Sequence, residues 1–437
     1  MNFKAGSVFT LSAFFEWKSD LIMNYFENNE NQEKALLICV DTGDFDAEAS
    51  LNELELLAES AGAKVEGKIL QRRPSPDPAT YIGRGRLAEA ELFCHNTEID
   101  LIICDGELSP SQIRNIENIT DVRVIDRTQL ILDIFALRAK SREGKLQVEV
   151  AQLRYALPRL TGKGTALSRL GGGIGTRGPG ESKLESDRRH IMRRINALEE
   201  QLEAIEKRRS LIRKRREKNE VITAALVGYT NAGKSTLMNA LTNAGVLAED
   251  KLFATLDPTS RKLILPNGQS VMLIDTVGFV SRLPHDLVKA FKSTLEEAAG
   301  ADIVLNVCDA SDPRCSEHIE ITTNILKELG CVGDNIITVM NKCDMAENVY
   351  DILPFGKTVM ISALKSVNLD LLLKEIENCL AVKSIELTLL IPFSDGFAVN
   401  DMRNSGKILS EEFTENGTLL KVCLPANIAD KFSKYLV

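Results

Sequence analysis

Nine consecutive residues, Gly228-Tyr229-Thr230-Asn231-Ala232-Gly233-Lys234-Ser235-Thr236, set two glycines, a lysine and two hydroxyls at spacings that suit a phosphate chain. The glycines let main-chain N–H groups close around phosphate oxygens, and a helix starting just after them adds favourable partial charge. Lys234 is expected to reach the β- and γ-phosphates. Ser235 is expected to offer its hydroxyl to Mg²⁺, which takes oxygen ligands and keeps several waters. Such a loop needs a strand before it and a helix after it. The apolar run Val221–Val227 and the stretch Leu237–Leu241 supply both.

Further strings decide which nucleotide. Apolar Val271–Ile274 ends in Asp275-Thr276-Val277-Gly278. A carboxylate at that strand end can hold Mg²⁺ through water, and Gly278 lets its N–H approach a γ-phosphate. The run Ile336–Met340 ends in Asn341-Lys342-Cys343-Asp344. Asp344 can accept from guanine N1–H and the exocyclic amine. Adenine offers neither group there, so a buried Asp344 would discriminate through the cost of an unpaired polar group. Asn341 is expected to support the loop and the base, and the Lys342 stem to cover the ring. Val359–Ile361 leads to Ser362-Ala363-Leu364, whose backbone can meet the guanine oxygen. The order of these strings, each after an apolar strand, specifies GTP and GDP over ATP. Phe253-Ala254-Thr255-Leu256-Asp257 lies where a threonine could bind Mg²⁺ and the γ-phosphate only in the triphosphate state, which would make it a switch. By position alone, Thr255 and Thr259 compete for that role. Lys234, Gly278 and this threonine are the expected catalytic contributors, through electrostatic stabilisation. The position after Gly278, where Ras-like proteins carry a water-orienting glutamine, is Phe279. Slow intrinsic hydrolysis, stimulated by a partner, is the expectation.

These motifs need elements to hold them. At 437 residues the chain exceeds one ordinary core. The expected fold class is α/β, in five parts: an extension 1–33, an α/β domain 34–137, a basic helical hairpin 138–219, a Ras-like P-loop domain 220–382 and a small α+β domain 383–437. Strands are expected at Ala35–Asp41, Val65–Gln71, Leu101–Cys104 and Val122–Ile125, alternating with helices such as Ser50–Glu59 and Leu87–Cys94, which favours a parallel sheet. Leu146, Val150, Leu153 and Leu157 form one helical seam. Ile191, Ile195, Leu198, Leu202, Ile205 and Ile212 form a second, so two helices are expected to pack antiparallel. Between them Thr161–Gly180 is too rich in glycine for a helix. The last part is expected to hold strands with turns at Ser394-Asp395-Gly396 and Glu415-Asn416-Gly417.

Charge is unevenly spread. Residues 138–218 carry 22 Lys/Arg against 10 Asp/Glu, in a chain whose net charge is −9. A basic arm on an acidic protein suits a polyanion such as folded RNA, recognised by shape and phosphate. Nine cysteines show no C-x-x-C pair, which argues against a zinc site and for reduced, buried thiols. No apolar run approaches the roughly 18–20 residues that span a bilayer. A cytoplasmic monomer is the expectation, with a peripheral place at the membrane as the other option.

The chain resembles the HflX family, a group of translation-factor-class GTPases related to Obg. The resemblance rests on Gly228–Thr236, Phe253–Asp257, Asp275-Thr276-Val277-Gly278-Phe279 and Leu283-Pro284. Outside that domain it rests on Tyr81-Ile82-Gly83-Arg84-Gly85-Arg86, Asp126-Arg127-Thr128, Gln147-Val148-Glu149 and Gly171–Glu181. It implies binding to the large ribosomal subunit and its ribosomal RNA, splitting of stalled ribosomes, and a hairpin that reaches toward the peptidyl-transferase region. It favours Thr255 as the Mg²⁺ ligand of the first switch. A second nucleotide site has been proposed in the N-terminal domain of members, and nothing here resembles a second phosphate loop. A ribosome-assembly GTPase, and an RNA-binding module with a structural nucleotide, are the competing readings.

Overall fold

The computed structural model describes residues 32–160, 179–218, 221–242, 252–253, 259–282, 299–331, 335–346, 357–381, 384–405, 407–425 and 430–437. Residues 1–31 of the expected extension, most of the glycine-rich loop, and Ala254, Thr255, Leu256 and Asp257 lie outside them. The chain divides into two compact units: Met1–Ile205 with Arg282–Ala290, and Glu206–Ser281 with Phe291–Val437.

In the first unit, strands β1 (Lys34–Asp41), β2 (Lys64–Arg72), β3 (Leu101–Cys104) and β4 (Arg123–Asp126) form one parallel sheet in the order β2-β1-β3-β4. Near-continuous apolar runs such as Ala35–Val40 belong in such a sheet, because helices cover both faces. Helices α1 (Ala47–Ser60), α2 (Arg84–Thr97), α3 (Pro110–Thr120) and α4 (Arg127–Arg138) connect and follow the strands. Their starts are written in the sequence. Asp46 and Asp126 accept the Ala49 and Gln129 amides, and Ser109 makes a reciprocal capping box with Gln112, with Pro110 in the first turn. Each cap of this kind stabilises by about 1 kcal/mol.

Helix α5 (Arg142–Ala156) ends at a 3₁₀ turn over Leu157–Arg159, where Pro158 cannot continue the hydrogen-bond ladder. Its seam, Val150 and Leu153 with Leu146 and Leu157, packs on Ile191, Ile195, Leu198 and Leu202 of α6 (Pro179–Lys218). The second seam is shorter than the apolar rhythm suggests. Ile212 is 44% exposed. The 15 residues of α5 make about 22 Å of helix, against the 40 residues of α6.

In the second unit, β5 (Ile222–Gly228), β6 (Thr259–Ile264), β7 (Ser270–Asp275), β8 (Ile303–Asp309), β9 (Ile336–Asn341) and β10 (Lys357–Met360) make a six-stranded sheet ordered β10-β9-β8-β5-β7-β6. All neighbours are parallel except β6 and β7. The chain goes to opposite sides of β5 before and after β7, so β5 ends at a topological switch point, where ligands of such sheets bind. Helices α7 (Lys234–Thr242), α8 (Cys315–Glu328) and α9 (Leu369–Ala381) accompany the sheet. Leu237 and Met238 of α7 and Leu372 and Ile376 of α9 lie in one core with Leu226, Leu273, Leu305 and Val339 of the strands.

Strands β11 (Ser384–Ile391), β12 (Lys407–Thr414) and β13 (Gly417–Pro425) form an antiparallel sheet ordered β11-β13-β12. Glu415-Asn416 makes the expected turn, with Gly417 at φ +145°. Ser394-Asp395-Gly396 does not join two strands. A 3₁₀ turn leads into helix α10 (Gly396–Ser405), because Ala398, Val399 and Met402 form an apolar stripe at helical spacing that packs on Leu389, Leu420 and Val422. Among the described residues the cysteines are free thiols, mostly buried, and no helix is long and apolar enough to cross a membrane.

Candidate nucleotide site

The loop between β5 and α7 has the geometry its glycines permit. Gly228 sits at φ +143°, and a Cβ there would lie 2.0 Å from the Val307 carbonyl oxygen. Gly233 sits at φ +90°, and a Cβ there would lie 2.2 Å from Asn341 Nδ2. Neither position accommodates a side chain. Asn231, at φ +59°, is a residue type that tolerates the left-handed region.

Lys234 is buried, and its ammonium donates to the carbonyls of Gly228 at 3.0 Å and Tyr229 at 2.7 Å. The lysine is thus folded back over the loop whose amides surround it. Burial pushes its pKa down to about 8, while the nearby Asp275 carboxylate pulls the other way. An anion in this loop would raise that pKa again by stabilising the ammonium. Ser235 Oγ donates to Asp275 Oδ2 at 2.8 Å, and Asp275 is fully buried at the end of β7. A hydroxyl and a carboxylate side by side are an oxygen donor set that suits Mg²⁺. Next to Asp275, the Thr276 hydroxyl donates to the Leu226 carbonyl, fastening β7 to β5. Val277 is buried. A Cβ on Gly278 would lie 2.8 Å from Thr230 Cγ2 and 3.0 Å from Lys234 Nζ, so this glycine abuts the phosphate loop. The Thr230 hydroxyl oxygen is buried without a hydrogen-bond partner among the described residues. Thr236 continues the first turn of α7, and Ala232 is buried beneath the loop.

The second half of the site is tied to the first by one side chain. Asn341 Nδ2 donates to the Ala232 carbonyl at 2.8 Å, and Asn341 Oδ1 accepts from the Ala363 amide at 2.9 Å. Asn341 therefore clamps the phosphate loop to Ser362-Ala363-Leu364. Lys342, at φ +60°, turns the chain out of β9 and pairs with Asp309 at 2.6 Å. Cys343 is half-buried, and its amide donates to the Ile361 carbonyl. Asp344 is paired with Lys365 at 3.0 Å, with its side chain 15% exposed. Hydrogen bonding from Ser362, then Lys365, holds its carboxyl below the usual range, so it is an acceptor at neutral pH. Leu364 is 80% exposed beside it.

Two further placements bear on the chemistry. Thr259 opens β6, opposite Asp275, and its hydroxyl donates to Met238 Sδ at 3.6 Å. Its side chain is engaged with the core. Phe253, two residues before Thr255 in the sequence, is buried at φ +55°. Phe279 is 3% exposed and packs with Ala225, Val227, Tyr229, Ala301 and Val304. The side chain that replaces glutamine is therefore inside the core. Sequence reasoning overlooked Asp309 as the partner of Lys342, although a carboxylate ending the apolar run Ile303–Cys308 was the available signal.

Three family models match along the chain: "GTP-binding GTPase N-terminal" over residues 48–136, "GTP-binding GTPase Middle Region" over 138–216 and "50S ribosome-binding GTPase" over 223–342. The GTPase HflX of Caldanaerobacter subterraneus subsp. tengcongensis is 49% identical over 409 residues, covering 93% of this chain and 94% of that protein. The GTPase HflX of Escherichia coli is 41% identical, covering 92% and 95%. A GTP-binding protein of Sulfolobus solfataricus solved with GDP is 27% identical, covering 80% of this chain and 98% of its own, with a TM-score of 0.43. The GTPase model and the two HflX relatives agree with a P-loop protein that hydrolyses GTP. At such identity over nearly the full length of both chains, the protein belongs to the HflX family of GTPases.

Proposed function

We propose that this GTPase is a switch that associates with the large ribosomal subunit through ribosomal RNA, splits stalled or idle ribosomes, and is stimulated to hydrolyse GTP by that partner. The observation that carries the reading is Phe279. Its side chain is buried in the core, so the position that orients water in Ras-like proteins offers no polar group to the nucleotide. A group or an ordering effect from outside then has a clear task. The basic helices α5 and α6 support the choice of partner, since their charge suits phosphate-rich folded RNA. The description of the matching GTPase model, a 50S ribosome-binding GTPase, supports it too.

In this reading the chain's own groups do the electrostatic work. Backbone amides of Tyr229 through Thr236 surround the phosphates, and Lys234 neutralises charge on the β- and γ-phosphates. Mg²⁺ would be held by Ser235, by Thr255 as the family resemblance implies, and by Asp275 through water; it would neutralise phosphate charge when bound. Gly278 presents its N–H to the terminal phosphate. Asn341 supports the base loop, Asp344 accepts from guanine after Lys365 yields, the Lys342 stem covers the ring, and the Ala363 amide faces the guanine oxygen.

Two measurements test the reading. GTP turnover is measured with and without large subunits, and we expect at least a tenfold rise; equal rates would remove the partner-stimulation step. Purified protein with GTP is added to intact ribosomes and the products are separated by sedimentation. Release of both subunits is expected. Intact ribosomes would favour an assembly role, and unaltered cellular function in a hydrolysis-dead variant would favour an RNA-binding module.

A further inference from the structure

The segment after Gly278 is clasped to the phosphate loop by three hydrogen bonds. Phe279 N donates to Gly228 O at 3.1 Å, and Thr230 N donates to Phe279 O at 2.7 Å. These two bonds form a parallel bridge between Tyr229 and Phe279. The third uses a side chain: Ser281 N donates to the Tyr229 hydroxyl at 2.5 Å. Tyr229 is itself held. Its ring stacks on the imidazole of His318, with centroids 3.8 Å apart and planes 10° from parallel. Both side chains are buried. His318 lies in the first turns of α8, with Nδ1 3.8 Å from Asp312 Oδ2.

We propose that Tyr229 is a positioning residue for GTP hydrolysis, its hydroxyl fixing Ser281, and through it Gly278, against the phosphate loop, with His318 as the stacking support. The reasoning starts from the backbone. Gly278 touches Thr230 and Lys234 so closely that it has no side-chain space, so a small shift of the segment moves its N–H relative to the terminal phosphate. The two main-chain bonds fix Phe279. The third reaches two residues further and ties the Ser281 amide to the same loop. A phenylalanine would fill the same aromatic slot, so that change isolates the hydroxyl, which takes the Ser281 amide. The stack restrains the ring on one face, which sets where the hydroxyl points. This role concerns the hydrolytic step and stands independently of the ribosomal reading.

Tyr229→Phe keeps the ring and deletes the hydroxyl. In the full chain we expect kcat for GTP to fall about five- to tenfold, the scale of one hydrogen bond. KM for GTP and the Kd for GDP should stay within about twofold, since the loop amides that hold phosphate are unaltered. Hydrogen exchange at the Ser281 amide should quicken by about tenfold. His318→Ala should lower kcat in the same direction, and His318→Phe, which restores an aromatic face, should recover most of it. A kcat within twofold of the parent in Tyr229→Phe, with Ser281 exchange unchanged, would overturn the proposal. So would equal losses of kcat and GDP affinity, which would mark a general weakening of the loop.

Discussion

The parallel sheet of the first unit and the mainly parallel six-stranded sheet of the second both end in buried carboxylates, and they use them in opposite ways. In the first unit, Asp105 follows β3 and is met by Arg127 at 2.9 Å and by Ser50 at 2.9 Å, while Arg127 also holds Glu53 at 2.7 Å. Burial would raise the Asp105 pKa, but Arg127 and Arg282 outweigh it and hold the carboxyl below its ordinary value. Asp126, at the end of β4, caps α4 and also accepts from the Leu108 amide, Tyr155 and Arg159. In the second unit, Asp275 at the end of β7 meets a serine hydroxyl, and the neighbouring lysine is turned to main-chain carbonyls within a glycine loop. The same architecture thus builds an internally neutralised knot in one place and a phosphate cradle in the other. A strand-end acid is not a site by virtue of the fold. It becomes one when glycines open the backbone and the resident cation stands ready for an anion.

The largest effect that could break this contrast lies in the knot. Arg127→Met leaves Asp105 and Glu53 buried beside each other without their shared cation. We expect a loss of about 3–5 kcal/mol of stability, read by denaturant unfolding of the first unit. Turnover per folded molecule should not change. Loss of turnover without loss of stability would show that the knot belongs to the chemistry.

The cradle should respond in reverse. Lys234→Met removes a buried ammonium and fills its space with a thioether of similar length. GTP turnover should fall by about 10²–10³-fold, as on removing one preorganised electrostatic donor. Thermal stability of the nucleotide-free protein should hold or rise, because desolvation of the ammonium is no longer incurred. Turnover within tenfold of the parent would mean that the lysine is structural here as well.

Much of the cradle was legible from the chain, and the knot hardly at all. The phosphate loop, Asp275 and Asn341 announce themselves because glycine, lysine and carboxylate stand at fixed distances along one strand–loop–helix unit. The strands around them follow from apolar runs such as Ile336–Met340. The knot joins Glu53, Asp105 and Arg127, which are up to 74 residues apart, and no local pattern links them. For the same reason the Lys342–Asp309 pair and the Tyr229–His318 stack were not foreseen. Helix α10 was hidden behind Ser394-Asp395-Gly396, a string that reads as a turn and serves as a helix start once Ala398, Val399 and Met402 have a sheet to cover. Nor does any local pattern link Asp344 to its partner Lys365, which lies on a different loop.

That pairing sharpens the guanine prediction. Asp344→Asn keeps the shape and exchanges one acceptor for a donor. Preference should move from guanine toward xanthine nucleotides, with GTP binding weakened by about 1–3 kcal/mol in a fluorescent-nucleotide titration. Unchanged GTP affinity would place base recognition elsewhere.

The smallest effect returns to the first unit, where one carboxylate escaped the knot. Asp133 of α4 accepts from Gln129 Nε2 at 2.8 Å, and burial pushes its pKa up to about 7 against that bond. Its folded pKa therefore lies above its unfolded value near 4. The folded state binds the extra proton, so the stabilising contribution is full below about pH 4 and is lost as pH rises through 7. Asp133 keeps partial contact with water, so a change on the order of 1–2 kcal/mol across this window is expected. Asp133→Asn removes the titration, so its unfolding free energy should be flatter than the parent's between pH 4 and 7. Identical slopes for the two proteins would place Asp133 with the neutralised acids after all.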